Sequence, residues 1–256
     1  MFHILRRIRH SLLENSKMKK YVFYALGEVM LVVIGILIAV QLGNWNNIRK
    51  EREEEQFLLQ SLKEDFQKNL ANLNTDFKTN KNNLENMIRL LDIINEQSPS
   101  PNYVEIDTLI SSLFTWGTID YNTGAIDDMK SSGKLQIITN HDLRNKLSEW
   151  PSIVRGQISD VDIMVGHNMN FLLPQLAKAY PLLNTDDLDF NSDLYGRPNL
   201  PKSKIKFDIN DLYDLEIQGI LYLHLANQDF VLKNDLHTSE FVKEVIALIN
   251  ENLKTE

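Results

Sequence analysis

The sequence predicts an all-α protein with one N-terminal transmembrane helix, a long heptad-patterned helix and an extracytoplasmic helical bundle. Three observations predict it. Residues 21–42 form one apolar run of bilayer length. Residues 46–96 lack proline and glycine and repeat their apolar residues in sevens. No long stretch alternates apolar and polar residues with the period of a strand.

The first element is the membrane segment. At ~1.5 Å rise per residue, residues 21–42 span roughly 33 Å, about one hydrocarbon core. Tyr21 and Tyr24 at one end and Trp45 at the other stand where interfacial aromatic anchors belong. The flanks set the direction. Residues 1–20 carry Arg6, Arg7, Arg9, Lys17, Lys19 and Lys20 against Glu14 alone, whereas Arg49, Lys50 and Arg52 are interleaved with Glu51, Glu53, Glu54 and Glu55. The excess of bases before the segment puts 1–20 in the cytoplasm as a basic arm on anionic lipid, and residues 43–256 outside.

Glu28 interrupts the apolar run, and a carboxylate at membrane depth is costly. Three readings are open. Glu28 lies one helical turn past Tyr24 and can reach the inner headgroups. It can hydrogen-bond across an oligomer contact, since Gly35 and Ala39 form a small-xxx-small pair that lets two backbones approach. It can carry protons beside a partner's helices.

Residues 46–96 are expected as one long helix, able to continue the membrane helix outward. Phe66, Leu70, Leu73, Phe77, Asn80, Leu84, Met87, Leu91 and Ile94 alternate steps of four and three, the seam of a coiled coil or bundle helix, with Asn80 as its polar register mark. The run breaks at Ser98-Pro99-Ser100-Pro101. Helices are expected within 103–178. One is a short helix over 124–132, beginning at Gly124 and stopped by Gly133 as a C-terminal glycine cap. Asn140 is expected to cap the helix that follows, and Pro151 to kink it or start another. Residues 181–207 read as a loop rich in Asp, Asn and Pro. Two amphipathic helices, 209–234 and 239–254, are expected to close the chain, the second capped by Thr238 or Ser239.

Composition narrows the function classes. The net charge is −8, and the acids are concentrated after residue 42, so nucleic acid is not an expected partner. There is no cysteine, which excludes disulfides and thiolate chemistry. Gly124 and Gly133 are too far apart for a phosphate loop, and Leu135 follows Lys134 where that motif needs a hydroxyl. Asp189, Asn191 and Asp193 open like a calcium loop, but Leu194 and Leu200 stand where glycine and a bidentate glutamate are required, and starting at Asp187 does no better. The histidines form no metal-binding pair, and Asp160, Asp162 and His167 read more simply as solvent-facing. No cofactor, metal or catalytic residue is expected.

The string Lys20-Tyr21, Tyr24-Ala25, Gly27-Glu28, Leu31 to Ala39, Asn44-Trp45-Asn46 and Arg49-Lys50 closely resembles the N-terminus of a large family of uncharacterised bacterial membrane proteins, known only as a domain of unknown function. The family pattern also covers Thr123-Gly124-Ala125, Ser131-Ser132-Gly133, Leu135, Asn140, Leu143-Arg144 and Leu147. Where that pattern has a pair of aromatics, this chain has Trp150-Pro151. The resemblance implies a single N-terminal span, a helical domain and no known activity. Together with the orientation set by the flanking charges, the expected place is a bacterial inner membrane, with the C-terminal domain periplasmic.

The expected function is that of a non-enzymatic scaffold or adaptor of the cell envelope, self-associating through 28–42 and 46–96 or bound to another membrane protein. Two alternatives stay open. One is a sensory module acting through a partner, and the other is an accessory subunit of an ion-driven transport complex using Glu28.

Overall fold

The computed structural model describes residues 18–97, 100–118, 120–185 and 202–253. Most of the basic arm, Ser98 and Pro99 of the predicted break, the calcium-like residues Asp187 to Asp193 and residues 254–256 lie outside the described residues. The described chain is helical and contains no strand. It divides into two compact units, one ending at Phe57 and one beginning at Leu58.

Helix α1 runs Met18–Glu96 without a break at Trp45. Its end is marked by Gln97, whose φ of 46° is left-handed and cannot continue a helix. In the first unit, α1 exposes nearly all its large apolar side chains from Val22 to Leu42. This part of the helix is long and apolar enough to cross a bilayer.

The second unit packs the rest of α1 against five shorter helices. These are α2 (Tyr103–Ser112), α3 (Gly124–Ser131), α4 (His141–His167), α5 (Leu173–Ala179) and α6 (Leu215–Asn252). Local chemistry sets the boundaries. Asn102 caps α2 through the amide of Glu105, and Asp214 caps α6 through the amides of Glu216 and Ile217. A single π turn, Asn168–Leu172, joins α4 to α5, with the amide of Leu173 reaching back five residues to the carbonyl of Asn168. Pro174 follows directly and has no N–H to return to residue 170, so the ladder widens there.

α4–α5 and α6 lie antiparallel. Lys146 meets Glu244, Gln157 meets Thr238, Asp160 meets Asn234 and Gln175 meets Glu216. α6 is one helix, not the two expected over 209–234 and 239–254, and residues Ile209–Leu212 are a separate 3-10 turn. Thr238 and Ser239 are buried in mid-helix. The Thr238 hydroxyl accepts from Gln157 Nε2 at 2.5 Å, so it serves the contact with α4 rather than a cap. Pro151 likewise stays inside α4, buried beside Trp150.

Two apolar clusters fill the unit. The first gathers Leu59, Leu62, Phe66 and Leu73 of α1 with residues of α3, α4 and α6. Trp150 is at its centre, fully buried, with its ring centroid 5.2 Å from Phe66, 5.7 Å from Tyr121 and 6.2 Å from Phe241. The second gathers Met87, Leu90 and Ile94 with residues of α2, α5 and α6.

The seam of α1 differs from the expected one. Phe66, Leu73, Asn80, Met87 and Ile94 are buried, but Leu70, Phe77, Leu84 and Leu91 are only half-buried. The second buried line is instead Leu62, Asn69, Asp76, Asn83 and Leu90. The chain's own helices fill this seam, so it is not a free coiled-coil surface for a second copy.

Trp150→Ala should remove the centre of the first cluster and cost about 3–5 kcal/mol of stability. Chemical denaturation of the full-length protein in detergent measures this, and a loss below ~1 kcal/mol would show that the cluster does not depend on Trp150.

Candidate functional site

The residues expected to act in the membrane lie in the first unit. Glu28 is exposed on α1 and makes no hydrogen bond or ion pair among the described residues. A Cβ built on Gly35 meets nothing within 4 Å, and Ala39 is exposed, so this face of α1 is open. Tyr21 and Tyr24 are half-buried and Trp45 is exposed.

The three motif residues of the second unit have local backbone roles. Gly124 opens α3, and its amide donates to Asn122 Oδ1 at 3.1 Å. Gly133 follows α3 with φ +74°, the left-handed conformation that favours glycine. Asn140 caps α4, its side chain accepting from the amide of Leu143 at 3.0 Å.

Between the two apolar clusters lies a polar layer that the heptad reading did not contain. Segment 115–122 has no regular secondary structure where it is described, and it runs antiparallel to α1. The side chains of α1 bind its backbone in order. Asn83 donates to the carbonyl of Thr115. Asn80 Oδ1 accepts the amide of Gly117 at 3.0 Å, and the carboxylate of Asp76 accepts the amide of Thr118. Asn72 donates to the carbonyl of Asp120 at 2.9 Å. Asn69 binds both the amide and the carbonyl of Asn122, at 2.8 and 3.0 Å. Asn122 Nδ2 then donates to Asp65 at 2.9 Å.

α6 closes the layer from the other side. Asn80 Nδ2 donates to Asp235 Oδ2 at 2.9 Å, and Gln228 Nε2 donates to the Asn80 carbonyl at 3.3 Å. Gly117 is required at its place. A Cβ there would stand 2.8 Å from the Cβ and 2.9 Å from the Cα of Asp76.

The layer holds charge in an unfavourable setting. Asp76 and Asp235 are both buried. Burial raises the Asp76 carboxyl to about 6; the Thr118 amide opposes this and Asp120 adds to it. Burial also raises Asp235 to about 6, against the bond from Asn80 and with the help of Asp76. Burial, with both carboxylates acting in the same direction, pushes the Tyr121 hydroxyl up. Asp76 Oδ2 and the Tyr121 hydroxyl are buried with no hydrogen-bond partner among the described residues.

Farther along the α4–α6 interface, His167 and His224 stack with ring centroids 6.1 Å apart. Burial, then the neighbouring ring, lowers His224 to about 4, and burial lowers His167. Asn168 Nδ2 donates to the Leu113 carbonyl at 2.6 Å beside them. Among the described residues, no three His, Asp or Glu side chains stand together as metal ligands.

Sequence reasoning found Asn80 but missed Asn69, Asp76, Asn83, Gly117 and Asp235. The usable signal was the polar spacing 69, 76, 83 in the line beside the apolar seam.

The fold and the exposed segment define a class: a helical protein with one bilayer-length helix at its N-terminal side. Residues 28–151 match the model of a family of unknown function (DUF6090), which bears out the resemblance drawn from the N-terminal string. No curated protein and no solved structure matches the chain. Glu28, Gly35 and the α1 and 115–122 parts of the polar layer fall inside the family match, whereas Gln228 and Asp235 fall outside it.

Two stability outcomes follow. Gly117→Ala should cost roughly 1–3 kcal/mol through the forced clash with the α1 backbone. Gly124→Ala, whose Cβ would meet only Asn122 Oδ1 at an ordinary 3.5 Å, should stay within about 1 kcal/mol. Equal losses in denaturant melts would refute the assignment.

His224 is held neutral in the fold, so the unfolded chain takes up its proton first as the pH falls. Its contribution should be lost between about 6.5 and about 4. His224→Gln should flatten that part of the melting-temperature profile, and an unchanged profile would contradict it.

Proposed function

We propose that the protein is a non-enzymatic, membrane-anchored scaffold or adaptor of the cell envelope. In this reading residues 21–42 cross the inner membrane, the basic arm is cytoplasmic and residues 43–256 are periplasmic. The carrying observation is the row of exposed apolar side chains from Val22 to Leu42 on a helix of bilayer length. In water that row would be a large unpartnered apolar surface, whereas in lipid it is solvated.

Self-association through residues 28–42 is part of the proposal. The open surface at Gly35 and Ala39 supports it, because small residues permit close backbone approach. The second expected route, the α1 seam, is filled from within the chain and is not included. A second reading keeps Glu28 for a partner's membrane helix, as in an accessory subunit of a transport complex. It is favoured by the exposure of Glu28 with no partner among the described residues.

The absence of native cysteine makes topology directly testable. With an impermeant maleimide on intact spheroplasts, Glu251→Cys should label at once and Ser11→Cys only after lysis. The reverse pattern, or recovery of the protein in the soluble fraction, would overturn the anchor. Gly35→Leu should reduce cross-linked oligomers of the full-length protein in detergent; a wild-type protein that is strictly monomeric there would end the self-association reading.

A further inference from the structure

We infer that the contact between segment 115–122, α1 and α6 is a proton-dependent lock, in which Asp76 and Asp235 hold the segment down only while they share at least one proton. The inference does not depend on the membrane reading.

The geometry leaves two buried carboxylates in one layer without a cation. Neither is in an ion pair among the described residues. Asp120, carried by the segment itself, adds a third negative charge. The facing groups from other elements do not offset this. Gln157 and Gln228 are neutral, Asp160 is bound to Asn234, and Lys233 is spent on Asp229 at the surface. Lys78 is exposed, and the His167–His224 pair is disfavoured as a cation by burial.

The bonds that dock the segment run through the same groups. Asn80 binds Asp235 with its amide nitrogen and Gly117 with its oxygen, so one side chain joins the charge on α6 to the segment. Asp76 binds the Thr118 amide with its carboxylate and leaves Oδ2 buried without a donor among the described residues. A proton on Oδ2 turns that orphan acceptor into a donor and removes half of the repulsion. Gly117 is pressed against the α1 backbone and cannot adjust inward. When both carboxylates ionise, the free direction is outward, away from α1.

The sign follows from the raised carboxyls. The docked state binds more protons than the released one, so docking is strongest below about 4. It weakens as the pH rises toward about 6, and is level above that. Each group contributes up to about tenfold per pH unit across that window.

The test is amide hydrogen exchange at Gly117, Thr118 and Asn122 in the full chain in lipid nanodiscs, corrected for intrinsic exchange, at pH 4.5 and 6.5. The readout is the protection of wild type relative to Asp76→Asn/Asp235→Asn, which cancels the opposing effect of His224. This ratio should fall at least ~30-fold between the two pH values. A constant ratio would overturn the lock. Should the double variant not fold, carboxyl carbon shifts of wild type decide. Midpoints of Asp76 and Asp235 well above the ordinary aspartate range support the lock, and ordinary midpoints for both overturn it.

Discussion

The backbone of residues 115–118 and 120–122 lies against the buried side of α1 without belonging to a helix or a sheet. Its amides and carbonyls have no regular ladder to join, and burying them unpaired would cost about as much as the bonds they lack. α1 supplies the partners. Two helical residues rise about 3.0 Å, and one extended residue advances about 3.3 Å, so a helix can follow an extended chain at two residues to one. From end to end the ladder keeps this ratio, residues 83 to 69 of α1 passing residues 115 to 122, although single steps depart from it: Asn83 with Thr115, Asn80 with Gly117, Asp76 with Thr118, Asn72 with Asp120 and Asn69 with Asn122. Asparagine suits the task because one planar amide both donates and accepts, as Asn69 does toward a single residue.

The rest of the unit hangs on that register. Asn122, once placed, presents its side-chain oxygen to the amide that opens α3, and its carbonyl to Trp150 Nε1 at 3.4 Å. The first apolar cluster is thereby fixed relative to the loop. On the other side, α2 is tied to the π turn through the Leu113 carbonyl and Asn168. A purely apolar seam could slide by a heptad, because Leu59, Phe66 and Leu73 present similar surfaces. The polar layer makes such a slide leave several buried groups unpaired, which is how buried polar residues specify register.

Much of this architecture was legible in the sequence, and the failures have identifiable causes. Apolar run length and heptad spacing suffice to read α1, because periodicity reports directly on which face leaves water. Caps such as Asn140 are local chemistry, readable from a few residues. The second buried line of α1 was not readable by hydrophobicity. Leu70, Phe77, Leu84 and Leu91 outrank Asn69, Asp76 and Asn83 on any apolar scale, yet the latter are buried because a distant segment needs hydrogen bonds. Thr238-Ser239 misled for the opposite reason. A hydroxyl pair resembles a cap until the partner that uses it, Gln157 on α4, is known. Both errors come from tertiary hydrogen bonding overriding local preference.

The layer also joins parts of the chain with different standing. The α1 and 115–122 halves of the ladder fall within residues 28–151, the stretch matched to the family, while Gln228 and Asp235 come from α6 beyond it. The ladder alone carries one buried carboxylate, Asp76, already stabilised by the Thr118 amide. Docking α6 brings the second, and with it the repulsion between them. Charge strain in the layer therefore has two sources, Asp120 of the segment acting on Asp76 and Asp76 acting on Asp235 across the α6 contact. The link between the C-terminal helix and the α1 ladder converges on Asn80, whose side chain donates to Asp235 and whose backbone carbonyl accepts from Gln228.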